Sequence, residues 1–236
     1  MKVAAIGGGT WGTTVAHLCA HNAPTVLYTR RPEVAEAVTE RHENPRYLEG
    51  FTLHPELTAS SDLEHVVSRA DVVIMGVASI GLHETLEQLH PIIGRDVPIV
   101  SLTKGLERGT GRRMTEVIRE RLPANPIGVL TGPNLAKEIL AGQAAASVIA
   151  FEDSLVARDL QKLLASGLFR VYTNSDLVGC ELGGALKNVI AIAAGMADGL
   201  GAGNNTQAAV ITRGLAELTR LGMSMGGEMT TFMGLA

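Results

Sequence analysis

The feature that most constrains this chain lies at its start. The stretch "VAAIGGGTWGTTVA" places Gly7, Gly9 and Gly12 in a G-x-G-x-x-G spacing, between a short apolar run and a helical pattern. The first glycine permits a tight turn, the second a close backbone approach by a ligand, and the third close packing of helix on strand. The helix N-terminus then faces the turn with free N–H groups and the positive end of its dipole, which suits a pyrophosphate. A glycine-rich turn alone would say little. At a strand–helix junction inside a βαβ unit it implies dinucleotide binding, with Thr10 and Trp11 of the same loop bordering the cofactor. Trp11 also suits a core anchor.

The rest of the first two-thirds alternates in the same way. "KVAAI", "TVLYT", "DVVIMGV", "PIVSL", "IGVL", "AASVIA" and "FRVYT" read as strands. Helical patterns lie between them, over residues 12–21, 33–41, 80–90, 111–122, 135–141 and 154–165. A further helix opens near "SDLEHVV", where Ser61 and Glu64 have capping-box spacing. Continuous apolar strands such as "DVVIMGV" belong to a parallel sheet covered on both faces. The expected fold is therefore α/β: an N-terminal Rossmann-type, doubly wound, mostly parallel sheet over residues 1–175. The start of an all-helical C-terminal domain follows over residues 176–236, where β-type runs cease. Within it, Asn204 and Asn205 suit helix caps, and Arg213 and Glu217 have the spacing of a helix ion pair.

Bulk composition narrows the function. Net charge is −4 and aromatics are 3%, with no basic run, so a nucleic-acid groove with stacking platforms is not expected. The two cysteines, Cys19 and Cys180, allow no disulfide framework and fit a reducing compartment. The longest apolar run, near Val189–Ala197, is shorter than a bilayer span, so no transmembrane segment and a cytoplasmic location are expected. His17 and His21 have i, i+4 spacing but no evident third ligand, so they read as solvated helix positions and no metal is expected.

Two positions point to chemistry. At the end of the second strand a ribose 2′-hydroxyl calls for Asp or Glu, yet "VLYTRRPE" offers Arg30 and Arg31. Guanidinium suits a 2′-phosphate, so NADP(H) is preferred and NAD(H) possible; one of the two arginines also suits a solvated helix start. The second position is Lys187 in "ELGGALKNVIAIAAGMADGL", a helix apolar or small on nearly every face and so expected to be buried. Burial would lower the pKa of its ammonium toward values useful for proton transfer. A lysine that snorkels to the surface or pairs with an acid remains the alternative. Lys104, after the strand "PIVSL", borders the crevice where open α/β sheets bind ligands, although loop lysines are ordinarily just solvated. In "LTGPNLAKE", Gly132 gives backbone access and Asn134 suits a ligand or helix-cap position.

Taken together, "IGGGTWGTTVA", "NPRYLEG", "SLTKGLE", "LTGPNLAKEI", "GCELGGALKNVIAIAAGMADGL" and "NNTQAAVITRGLAE" resemble bacterial-type NAD(P)-dependent glycerol-3-phosphate dehydrogenase over essentially the whole chain. The resemblance implies reversible reduction of dihydroxyacetone phosphate to sn-glycerol 3-phosphate for phospholipid synthesis. It implies Lys187 as proton acceptor in the oxidative direction and Lys104 meeting both substrate and cofactor. It also implies Gly132, Asn134 and Asn188 at the substrate and Ala136 against the cofactor, although Asn stands where the family more often has Ser or Thr. Asn188 equally suits a helix-surface amide. Family members continue into a larger helical domain, so the chain is expected to be truncated. A related hydroxyacid or ketoacid dehydrogenase, or a cofactor-binding fragment, are the competing expectations, and a homodimer is possible.

Overall fold

The computed structural model describes residues 1–234. Its centre is built from the apolar strands. β1 (Val3–Ile6) leads through the glycine turn into α1 (Thr10–Ala20), then β2 (Thr25–Tyr28) and α2 (Pro32–Glu40). Next come β3 (Leu57–Ser60), α3 (Leu63–Val67), β4 (Val72–Met75), α4 (Leu82–Leu89), β5 (Ile99–Ser101) and α5 (Met114–Arg121). They are followed by β6 (Ile127–Thr131), α6 (Ala136–Leu140), β7 (Ala145–Phe151), α7 (Ser154–Leu164) and β8 (Phe169–Asn174). Helices α8 (Leu177–Gly199), α9 (Asn204–Ser224) and α10 (Met229–Phe232) complete the described chain.

The strands form one sheet of eight in the order β3-β2-β1-β4-β5-β6-β7-β8. All neighbours are parallel except β6 and β7. This is the doubly wound, mostly parallel architecture expected. Alternate residues of one strand enter different cores, which is why the strands are apolar throughout. Val3, Ala5, Val72 and Ile74 pack with Val15 and Leu18 of α1, Val34 and Val38 of α2 and Leu160 of α7. Ala4, Ile6, Val73 and Met75 pack with Val66 of α3, Leu86 of α4 and Val117 of α5. Each such large side chain contributes about 1.5–3 kcal/mol when fully buried.

The structure differs from expectation at several edges. β3 escapes the sequence pattern because "LTAS" buries only Leu57 fully. Helix α3 is capped by Asp62, whose carboxylate accepts from His65 N–H, and not by Ser61. Helix α5 begins at Met114, since positive φ at Gly109 and Gly111 keeps the preceding loop out of helix. Asn204 and Asn205 lie inside the first turn of α9 with Gly203 as the cap residue. Glu217 pairs with Arg220 at 3.9 Å instead of Arg213. The long helix α8 is buried only over its first turns: Leu177, Cys180, Leu182 and Gly184 are enclosed, while Val189, Ile192 and Met196 are exposed.

Candidate active site

The glycine turn has the shape its sequence requires. Gly7 has φ +115°, and a Cβ there would lie 2.4 Å from the Gly76 carbonyl oxygen. A Cβ on Gly12 would lie 2.1 Å from the Gly7 carbonyl oxygen, so α1 packs on the turn only without one. Gly9 instead faces open space, with nothing within 4 Å of where its Cβ would be. Gly9 is also the cap residue of α1 and supplies no side chain, so no side chain at the cap position satisfies the first-turn N–H groups of α1. Fully buried Asn44 braces the turn, donating to the Gly8 carbonyl at 3.1 Å and to Thr13 Oγ1 at 2.9 Å.

Two recesses meet over this turn at the carboxyl ends of the strands. One, of about 460 Å³, is lined by Gly7–Gly9, Thr29, Arg30, Arg31, Tyr47 and Gly76–Ala78. The other, of about 480 Å³, is lined by Gly9–Gly12, Gly76–Ser79, Leu102–Lys104 and Asn134. Shared walls at Gly9 and Gly76–Ala78 make them one trough. Its ends are marked by the Arg30–Arg31 pair and by Lys104. Arg31 has Glu33 at 3.7 Å, while no carboxylate stands within ion-pair distance of Arg30 among the described residues. Trp11 lines the second recess and packs on the core beneath α1.

Beyond Lys104 the two lysines converge. Lys187 Nζ donates to the Gly132 carbonyl at 2.9 Å, and Lys104 Nζ approaches the same oxygen at 3.4 Å. Gly132 follows β6 with φ +146°, and a Cβ there would press on the β7 backbone at Ala146 and Ser147. What brings Lys187 here is Gly184, one helical turn earlier. A Cβ on Gly184 would lie 2.3 Å from Thr131 Oγ1, so α8 rests directly on β6. Lys187 therefore has a backbone carbonyl for a partner, and no carboxylate among the described residues.

The electrostatics follow from this crowding. Lys104 is exposed overall, yet partial burial and the positive charge of Lys187 lower its pKa to about 8. Burial lowers the pKa of Lys187 as well. Asn134 Oδ1 accepts from Ser147 Oγ at 2.6 Å, leaving Nδ2 buried with no hydrogen-bond partner among the described residues. Asn134 therefore caps no helix; Leu135 holds the cap position of α6 without a side-chain bond. A buried amide donor with no partner is costly unless a ligand satisfies it.

Comparison with known proteins identifies this arrangement. The family model described as the NAD-dependent glycerol-3-phosphate dehydrogenase N-terminus matches residues 2–157, and its C-terminal counterpart matches residues 176–236. The chain belongs to that family. A glycerol-3-phosphate dehydrogenase [NAD(P)+] of Sphingopyxis alaskensis is 58% identical over the whole chain, which spans 71% of that relative. One from Mycobacterium avium is 49% identical, with 69% of its length spanned. The solved glycerol-3-phosphate dehydrogenase of Coxiella burnetii superposes with a TM-score of 0.92 at 35% identity, covering 99% of this chain and 72% of that one. A ketopantoate reductase from Ralstonia eutropha, at 20% identity and TM-score 0.58, shares the fold alone.

Seen as a dehydrogenase of this family, the chain gathers most of the sequence-marked residues into one trough. Gly7, Gly9, Thr10, Trp11, Gly12, Arg30, Arg31, Lys104 and Asn134 line it, and Gly132 and Lys187 adjoin its far end. Ala136 opens α6 and Asn188 is exposed on α8; neither lines the two recesses. Thr29, Tyr47 and Gly76–Ala78 were not marked, although the strand-end rule could have found Gly76–Ala78 after β4. His17, His21 and His54 come together, with His54 N–H donating to His17 Nδ1 at 2.9 Å and His21 Nε2 lying 3.4 Å from His17 Nε2. His17 is thus half-buried rather than solvated, and burial, with the neighbouring His21 and His54, lowers its pKa to about 4. By length and composition α8 could cross a membrane. In the fold its first turns lie on β6, and its two charged residues there, Glu181 and Lys187, are hydrogen-bonded inside the protein.

Proposed function

We propose that this chain catalyses the reversible NAD(P)H-dependent reduction of dihydroxyacetone phosphate to sn-glycerol 3-phosphate, in the cytoplasm, as a supplier of phospholipid backbones. The observation that carries this reading is the convergence of two ammonium groups on one carbonyl at the end of a trough built over a glycine turn. The trough fits a dinucleotide: open space at Gly9 and the uncapped first turn of α1 would take the pyrophosphate, and Arg30 and Arg31 a 2′-phosphate. Thr10, Trp11, Gly12 and Ala136 would complete the cofactor contacts. NADPH, when bound, supplies the hydride.

The chain's own residues do the rest. As hydride reaches a ketone carbon, negative charge grows on its oxygen and a proton must be delivered there. Lys187 Nζ is the proposed donor, and in the oxidative direction the acceptor. Its lowered pKa brings proton transfer nearer neutral pH. Lys104 would hold the substrate phosphate, with the Gly132 backbone, Asn134 Nδ2 and Asn188 supplying further contacts. A dianionic phosphate is what two crowded cations lack. The exposed apolar residues Val189, Ile192 and Met196 of α8 support self-association into a homodimer.

The test is to mix the chain with NADPH and dihydroxyacetone phosphate and follow nicotinamide absorbance. Turnover supports the proposal. Binding without turnover would leave a cofactor-binding unit, and turnover only with other ketones would reassign the substrate.

A further inference from the structure

Glu181 sits six residues before Lys187 on α8 and is 3% exposed. Among the described residues three groups donate to its carboxylate. Thr115 N–H donates to Oε1 at 2.8 Å, Thr115 Oγ1 to Oε2 at 2.5 Å, and Arg113 Nη1 to Oε2 at 3.1 Å. The N–H and the guanidinium can only donate, which suits an ionised carboxylate as their acceptor. Burial raises its pKa, while Thr115 and Arg113 oppose that shift. An isolated buried carboxylate would be prohibitive; this one is paired and fully hydrogen-bonded.

The partners matter because of where they lie. Thr115 is in the first turn of α5, so Glu181 satisfies an N–H that helix geometry leaves free. Arg113 closes the loop that begins at Lys104. Leu106 and Arg113 form an antiparallel bridge across it, and Glu107 N–H donates to the Arg112 carbonyl at 2.8 Å. Inside the loop the Glu107 carboxylate takes Arg112 Nε at 2.7 Å and His83 Nε2 at 2.6 Å. The loop is thus a braced unit with Lys104 at one end and Arg113 at the other. One helix therefore carries both Lys187 and the carboxylate that grips the Lys104 loop. At 1.5 Å per residue, the two side chains leave α8 about 9 Å apart along its axis.

We propose that Glu181 is a positioning residue: by tying α8 to Arg113 and Thr115 it sets the spacing of Lys104 and Lys187 across the Gly132 carbonyl. This rests on the reading of that lysine pair as the active pair, and its test requires no turnover. Without the tether, the loop and α8 separate and each ammonium gains solvent.

The experiment measures lysine reactivity. The chain and its Glu181→Gln variant are labelled with acetic anhydride across pH 6–11, and labelling at each lysine is read by peptide mass spectrometry. Circular dichroism and NADPH binding report the fold. In folded Glu181→Gln, Lys104 labelling should shift toward higher pH. A shift of one pH unit lowers its rate at pH 8 about fivefold, with exposed Lys162 unchanged. Lys104 and Lys187 profiles identical to the parent's in a folded variant would overturn the proposal. Thr115→Val, which keeps the carboxylate and the backbone bond, is the second variant and should shift Lys104 less in the same direction. Loss of fold in both variants would also overturn it, because Glu181 would then serve folding alone. A failure of dihydroxyacetone phosphate turnover would leave these profiles untouched and would count against the proposed substrate instead.

Discussion

Replacing Lys187 with Met removes the ammonium while keeping most of the side-chain volume. Its Nζ makes one hydrogen bond, to the Gly132 carbonyl, and Lys104 still faces that oxygen at 3.4 Å. No buried polar group is left without a partner, and the burial of one charge is relieved. The unfolding free energy should therefore change by less than about 1 kcal/mol. NADPH affinity should also hold, because Lys187 does not line the trough over the glycine turn. Turnover should fall by about 100- to 10,000-fold, the range for a general acid–base group. That corresponds to about 3–5 kcal/mol of barrier. A second signature follows from charge. Lys104 is held at about 8 by burial and by Lys187, so its pKa should rise in the variant.

The sign can be followed through to stability. Native Lys104 releases its proton at lower pH than an unfolded lysine. Between about pH 8 and the ordinary lysine pKa near 10.4 the unfolded chain binds more protons, so this group's penalty is relieved as pH rises. Lys187→Met should narrow that window from below. The assays are NADPH oxidation at saturating substrate, NADPH fluorescence titration, and urea unfolding at pH 7, 8, 9 and 10. Retention of more than about one-tenth of parental turnover would refute the assignment. So would a parallel loss of NADPH affinity.

Other expectations follow from single contacts. Replacing Arg30 and Arg31 together with Ala should weaken NADPH binding at least tenfold and leave NADH binding within about twofold, because only the 2′-phosphate uses a guanidinium. Equal weakening of both in fluorescence titrations would place the arginines elsewhere. Gly184→Ala puts a Cβ 2.3 Å from Thr131 Oγ1 and should lift α8 off β6. A loss of about 1–3 kcal/mol in urea unfolding is expected from such overpacking, together with lost turnover; full activity would show that the Gly184 contact does not place Lys187.

The parts of this molecule that were legible beforehand are those written locally. The glycine turn lies within six residues of one strand–helix junction, and the buried strands are continuous apolar runs, so both could be read from neighbouring letters. β3 could not: it is a four-residue edge strand with one fully buried side chain. Lys187 stood out as a charge in an apolar helix, but its partner is a backbone carbonyl 55 residues away, which no sequence pattern displays. The same holds for Glu181 with Arg113, separated by 68 residues, and for Asn44 bracing the glycine turn from 36 residues away. Asn134 was legible only in part. Its place before a helix suited a cap or a ligand contact, and the cap is absent: Ser147 on β7 donates to its oxygen, and its amide is buried with no partner among the described residues.

The most direct measurement of the central claim follows the hydride itself. NADPH carrying deuterium at both nicotinamide C4 positions is incubated with dihydroxyacetone phosphate and this chain, and the product is analysed by mass spectrometry and NMR. The account predicts sn-glycerol 3-phosphate carrying deuterium at C2, formed by the parent and lost in Lys187→Met. Product without deuterium at C2, or no product while NADPH binds normally, would contradict it.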